Sequence, residues 1–201
     1  MSSIVIAGNT SGAITIAAPA EAGLNTLTLP ASTGTVALTS DIPAPVTAVQ
    51  THLTTTSSQS NTASVRTNIS GLNATITPST TSKRIKITIR WNGEYSSTIN
   101  HDTVFGIKRD TTDIGNPAAD GSRSVGMAIV AMGYWSADAD STAESAMYIY
   151  IDSPATTSAT TYHATLMQRI TGTLYNQRTV ADSSGAGYER LTSNIILEEI
   201  D

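Results

Sequence analysis

From Lys83 to Trp91 the chain reads Lys-Arg-Ile-Lys-Ile-Thr-Ile-Arg-Trp, which sets Ile85, Ile87 and Ile89 against Lys86, Thr88 and Arg90 at a period of two. Successive side chains of an extended strand leave opposite faces, so this run makes a half-buried strand and cannot serve as an amphipathic helix. The same β-branched or alternating character recurs at Asn68–Ile76, Thr103–Arg109, Val125–Gly133, Ser145–Ile151, Thr161–Ile170, Thr171–Gln177 and Thr192–Glu199. Asp120-Gly121, Asp152-Ser153-Pro154 and Ser184-Gly185-Ala186-Gly187 supply turns between the runs, and Asn92-Gly93 predicts a hairpin or turn just after Trp91. About eight strands in roughly 135 residues, with no amphipathic helix, predict an all-β fold, a β-sandwich or jelly roll over 65–201.

The first sixty or so residues differ in kind. Before Arg66 the only charged side chains are Glu21 and Asp41, and the first aromatic residue is Trp91. Without aromatics this segment lacks the large buried area on which a core draws. It still carries short β-like runs at Ser3–Ile6, Ala13–Ala17, Thr26–Leu29 and Thr35–Leu38, punctuated by Gly, Asn and Pro. Such strands need a partner to cover their apolar face. Residues 1–40 therefore read as an extended β-rich attachment arm, with Ile4, Ile6, Ile14, Ile16, Leu27, Leu29, Val36 and Leu38 as the candidate contact residues. Residues 41–64 read as a linker: Pro43 and Pro45 favour extended backbone, Val46–Leu53 can form a short helix, and Thr54–Ser60 is a polar low-complexity run.

Composition removes several function classes. Only 13% of the residues are charged and the net charge is -5 with no basic stripe, which leaves no electrostatic footprint for nucleic acid. Ser and Thr fill the gap at about 28% of the chain. The absence of Cys excludes disulfide frameworks, thiolate zinc sites and Cys nucleophiles. No apolar run approaches the roughly 20 residues of a membrane helix. The first residues have neither a basic region nor a continuous apolar stretch, so the expectation is synthesis and assembly in a cytoplasm without an export signal.

No pattern of catalytic residues stands out. His52, His101 and His163 lie in no metal-ligand spacing, and the Gly-rich loops precede no helix that would make them phosphate cradles. Asp110, Asp113 and Asp120, and Asp138, Asp140 and Glu144, are acidic loop clusters without the spacing of a calcium loop. There is no Gly-x-Ser-x-Gly elbow. The expectation is a non-enzyme with no metal or cofactor. Tyr134, Trp135, Tyr148 and Tyr150 are the candidate glycan-binding or interface aromatics, set against the plainer reading that they pack in the core.

Two stretches carry a resemblance. Gly8-Asn9-Thr10-Ser11-Gly12-Ala13-Ile14-Thr15-Ile16-Ala17-Ala18-Pro19, continuing through Thr26–Pro30 and Gly34–Leu38, resembles a segment common in tailed-phage structural proteins. Leu72–Ser79, Ser82-Lys83, Phe105–Asp110, Asp152–Tyr162 and Thr192–Ile200 resemble the trimeric jelly-roll domains of phage appendages, similar in architecture to the tumour necrosis factor and C1q type. Together they cover about half the chain and are specific to phage structural proteins as a class. The resemblance implies no catalytic residues. It implies a homotrimeric virion protein on the phage particle surface, assembled in the host cytoplasm. The first expectation is a head decoration, or cement, protein held by residues 1–40 to the major capsid protein or to another decoration protein. The chain's shortness favours this over the alternative, a short tail or collar fibre that recognises a host surface glycan. A polysaccharide-degrading enzyme is a remote third reading.

Overall fold

The computed structural model describes residues 3–7, 13–17, 47–95, 103–130 and 141–201. Every regular element among them is a β-strand. The chain divides into two compact units, Met1–Ala44 and Pro45–Asp201. In the first, β1 (Ser3–Ala7) and β2 (Ala13–Ala17) form an antiparallel hairpin that sets Ile4 opposite Ile16 and Ile6 opposite Ile14. Leu27, Leu29, Val36 and Leu38 lie outside the described residues.

The second unit is a sandwich of two antiparallel sheets. Its strands are β3 (Ala48–Leu53), β4 (Ser57–Asn61), β5 (Thr67–Ile76), β6 (Arg84–Tyr95), β7 (Val104–Arg109), β8 (Thr112–Ile114), β9 (Ala128–Ile129), β10 (Glu144–Asp152), β11 (Thr160–Met167), β12 (Gly172–Asn176) and β13 (Ser193–Ile200). In the first sheet β6 is central. β10 runs along one side of it, and β13 and β12 share the other side in succession, with β3 outside β13 and β4 outside β12. The second sheet runs β5, β11, β7, and then β8 and β9 along β7. The pairing is nested: β3 with β13, β5 with β11, β6 with β10, and β7 with β8. A long hairpin folded over on itself, first strand against last, is the jelly roll.

The alternation of Lys83–Trp91 does what its period predicts. Ile85, Ile87 and Ile89 are 0% exposed and face the other sheet, joined by Ile107, Leu166, Ile195 and Leu197. Each such side chain contributes about 1.5–3 kcal/mol by leaving water. Trp91 lies 5.1 Å from Phe105, centroid to centroid, and its indole N–H donates to Asn176 Oδ1 at 2.8 Å.

Three expectations need correction. Within the expected helix Val46–Leu53, Ala48–Leu53 is a strand, and Thr54–Ser60 is no free linker: the segment carries β3 and β4, so the compact unit begins at Pro45 rather than at residue 65. Pairing with β13 and β12 decides the conformation of these polar residues, overriding local propensity. Asn92-Gly93 is no turn, because β6 continues to Tyr95. Gly93 serves close approach instead: a Cβ there would collide with the Tyr175 carbonyl oxygen and fall 2.8 Å from the Trp91 ring. Within Val125–Gly133, the described strand is only Ala128–Ile129.

Polar ties join the layers. Gln59 on β4 donates to the Asn68 carbonyl at 2.8 Å and accepts from the Ser70 N–H at 2.6 Å. Glu199 accepts from the Ser79 hydroxyl and N–H, both at 2.6 Å, which pins the crossover between β5 and β6. The Ser79 side-chain hydrogen bond, then the Ser79 backbone N–H, hold the Glu199 carboxyl below its ordinary value. A depressed folded pKa stabilises the native state above the unfolded value, about 4.3, and that contribution is lost as pH falls through the folded value. The melting temperature should therefore drop more steeply between pH 6 and pH 3 for the parent chain than for Glu199→Gln, by thermal unfolding across that range. Equal slopes would remove this tie from the acid response.

Candidate functional site

Among the described residues, the densest apolar exposure is on β10. Met147, Ile149 and Ile151 are 62%, 54% and 45% exposed, while on the opposite face Ala146 and Tyr148 are buried and Tyr150 is partly buried. The strand thus carries large apolar groups on both faces and can bury only one. Register sets Met147 opposite Arg90, Ile149 opposite Thr88 and Ile151 opposite Lys86. Across β6 the rows continue to Asn194, Ile196 and Glu198 on β13, then to His52, Gln50 and Ala48 on β3. The outer face of the first sheet is therefore an apolar ladder flanked by a cationic row.

The cations differ in their partners. Lys86 Nζ lies 2.7 Å from Glu198 Oε2, and Arg84 Nε donates to the Asp201 carbonyl at 2.9 Å. Arg90 reaches only the Thr192 hydroxyl at 3.3 Å and has no carboxylate partner among the described residues. Three large exposed apolar side chains in one ladder, beside an Arg with no carboxylate partner among the described residues, make this face the candidate interaction surface.

Tyr148 and Tyr150, the two described aromatic candidates, do not make an exposed platform. Tyr148 is 6% exposed and its hydroxyl donates to the Gly106 carbonyl at 3.0 Å, with burial pushing its pKa well above the ordinary phenol value. Tyr150 is partly buried against the core. Their shared face, correctly read from the alternation, is the inner one. Tyr134 and Trp135 lie outside the described residues. Sequence reasoning missed the ladder on the other face of the same strand; its signal is a Met-x-Ile-x-Ile alternation interleaved with the tyrosines.

A second feature is a shallow groove of about 510 Å³ beside β9, lined by Val104, Pro117, Val125, Met127 and Ile129 with Asp120 and Arg123 at its rim. Arg66 straps the loop that forms it: Nη1 donates to Thr165 Oγ1 at 3.1 Å, Nη2 donates to the Val125 carbonyl, and Nε lies 3.5 Å from Asp113. Burial pulls the Arg66 pKa below its ordinary value, and Asp113 opposes that shift. Gly106 leaves room for the strap, since a Cβ there would collide with Arg66 Nη1. No group of three or more His, Asp or Glu side chains gathers into a metal-ligating set among the described residues. Among the same residues, no helix is long and apolar enough to cross a membrane. Compared with known protein families and with curated proteins, the chain matches none.

Proposed function

We propose that this chain is a structural protein of a tailed-phage virion: a homotrimeric head decoration protein whose jelly roll projects outward and whose first unit attaches it to the particle. The observation that carries this reading is the division into a hairpin-bearing unit of residues 1–44 and a jelly roll that begins at Pro45. The two five-residue strands are the elements described in the first unit; a hairpin of this size is at best marginally stable alone in water, which favours a role in joining another structure. The ladder of Met147, Ile149 and Ile151 supports self-association, because a symmetric assembly covers such a face in every copy at once.

On this reading the two jobs are separable. A chain lacking residues 1–40 should remain folded and associated as a trimer, its mass by light scattering three times that of the truncated chain, and should no longer bind phage heads. Full-occupancy binding by the truncated chain would overturn the arm's role, and a monomer mass at micromolar concentration would overturn the trimer. The copy number per virion then separates a lattice-covering decoration protein from a fibre present only at the tail or collar.

A further inference from the structure

An edge strand offers unpaired N–H and C=O groups to any other chain, and folded proteins blunt their edges by shortness, bulges or polar side chains. The other edges of this sandwich carry such devices. β8 and β9 have three and two residues. β5 shifts register against β11 and passes through Gly71 at φ 75°. β3 and β4 expose Gln50, His52, Ser58 and Ser60.

β10 carries none of these devices. It runs nine residues without Gly, Pro, Lys or Arg. Its carboxylates, Glu144 and Asp152, sit at its two ends and are buried. Its exposed residues are the apolar ladder, and among the described residues β6 is its one ladder partner. Among the described residues nothing pairs with its outer edge, and an edge of this length and character is one that another strand covers.

The chain itself supplies a matching strand. β1 and β2 form a sheet of their own, and both Ser-Ile-Val-Ile-Ala and Ala-Ile-Thr-Ile-Ala are uncharged and β-branched at their three central positions. We propose that the N-terminal hairpin of one copy adds a strand to the open edge of β10 in a second copy. This rests on reading the first unit as an attachment arm, and it names a second copy of this chain as the arm's docking partner. Backbone pairing supplies the affinity, and the uncharged edges on both sides exclude no approach by repulsion.

Hydrogen exchange on the purified protein, without particles, tests it. Amides of Ser145–Ile151 should exchange at least about ten-fold more slowly in the full-length chain than in one lacking residues 1–17. The central strand β6 should be equally protected in both, which reports that the truncated sandwich is folded. The chain has no Cys, so single cysteines are clean probes. Mixed Val5→Cys and Ile149→Cys chains should be joined by a short bismaleimide, whereas Val5→Cys mixed with Thr75→Cys, on the other sheet, should not. Equal exchange at β10, or no link between the mixed chains, would overturn the proposal; loss of protection with no interchain link would assign the edge to the chain's own hairpin and overturn it as well. If the chain lacking residues 1–40 loses head binding while β10 exchanges equally in both chains, the arm reading stands and this one falls. Protected β10 amides and an interchain link, together with undiminished head binding by the truncated chain, would uphold the strand addition and overturn attachment of the arm to the particle.

Discussion

Asp152→Ala should destabilise the sandwich by about 3 kcal/mol, seen as a lower urea midpoint at unchanged m. Asp152 ends β10 in the first sheet, and both of its partners belong to the second. The Tyr162 hydroxyl on β11 donates to Oδ2 at 2.7 Å, and Arg109 Nη1 on β7 lies 2.9 Å from Oδ2 and 3.2 Å from Oδ1. The Asp152 side chain is 8% exposed and that of Arg109 30%, so the pair is largely withdrawn from water. Burial, and then the hydrogen bond to Asp152, push the Tyr162 pKa upward, so the phenol stays protonated as the donor at all ordinary pH. Removing the carboxylate leaves a buried hydroxyl and a half-buried guanidinium without their acceptor, and a hole where the two sheets are tied. For a domain of this size the loss corresponds to a fall of roughly 10 °C in melting temperature. Tyr162→Phe leaves the ion pair and should cost only about 1 kcal/mol. If Asp152→Ala fell within about 0.5 kcal/mol of the parent, the tie would be an ornament of the fold, with sheet packing alone holding the layers.

The sandwich was legible where one face of a strand is apolar and the other polar. Ile85, Ile87 and Ile89 announced their burial by standing between Lys86, Thr88 and Arg90. β3 and β4 carry no such contrast. Ala-Val-Gln-Thr-His-Leu and Ser-Ser-Gln-Ser-Asn become strands because β13 and β12 present open edges to them, a long-range cause that no local window contains. Gly93 misled because the commonest use of Asn-Gly is a turn, while its use here is contact with the Tyr175 backbone. The candidate site failed for a subtler reason. β10 alternates Ala146, Tyr148 and Tyr150 with Met147, Ile149 and Ile151, so both faces are apolar and the pattern fixes the two sets without ranking them. The ranking comes from the opposite sheet, where the Gly106 carbonyl accepts the Tyr148 hydroxyl. With the Tyr148 ring also packed near Phe105 and Tyr150 against the core, the tyrosines face inward and the aliphatic set is left exposed.

If the proposed trimer is built on this ladder, Ile149→Asp should convert it to single folded chains. Ile149 is the middle of the ladder and 54% exposed, so in the isolated chain the new carboxylate stays in water at little cost. Its diagonal neighbours across β6 are Lys86 and Arg90, whose charges favour it there. In an assembly that covers the ladder, the same carboxylate loses its water in every copy, and the buried aliphatic contact is lost with it. The dissociation midpoint should rise by more than about 100-fold, equivalent to about 2.7 kcal/mol. The comparison belongs in the chain lacking residues 1–17, where hairpin exchange cannot hold copies together. Light scattering should then give 20.9 kDa less the truncation for the variant and three times that mass for its parent, with matching melting curves at low concentration. A variant that stays trimeric at micromolar concentration would move the interface off this face, and the ladder would then have to be covered by a different protein.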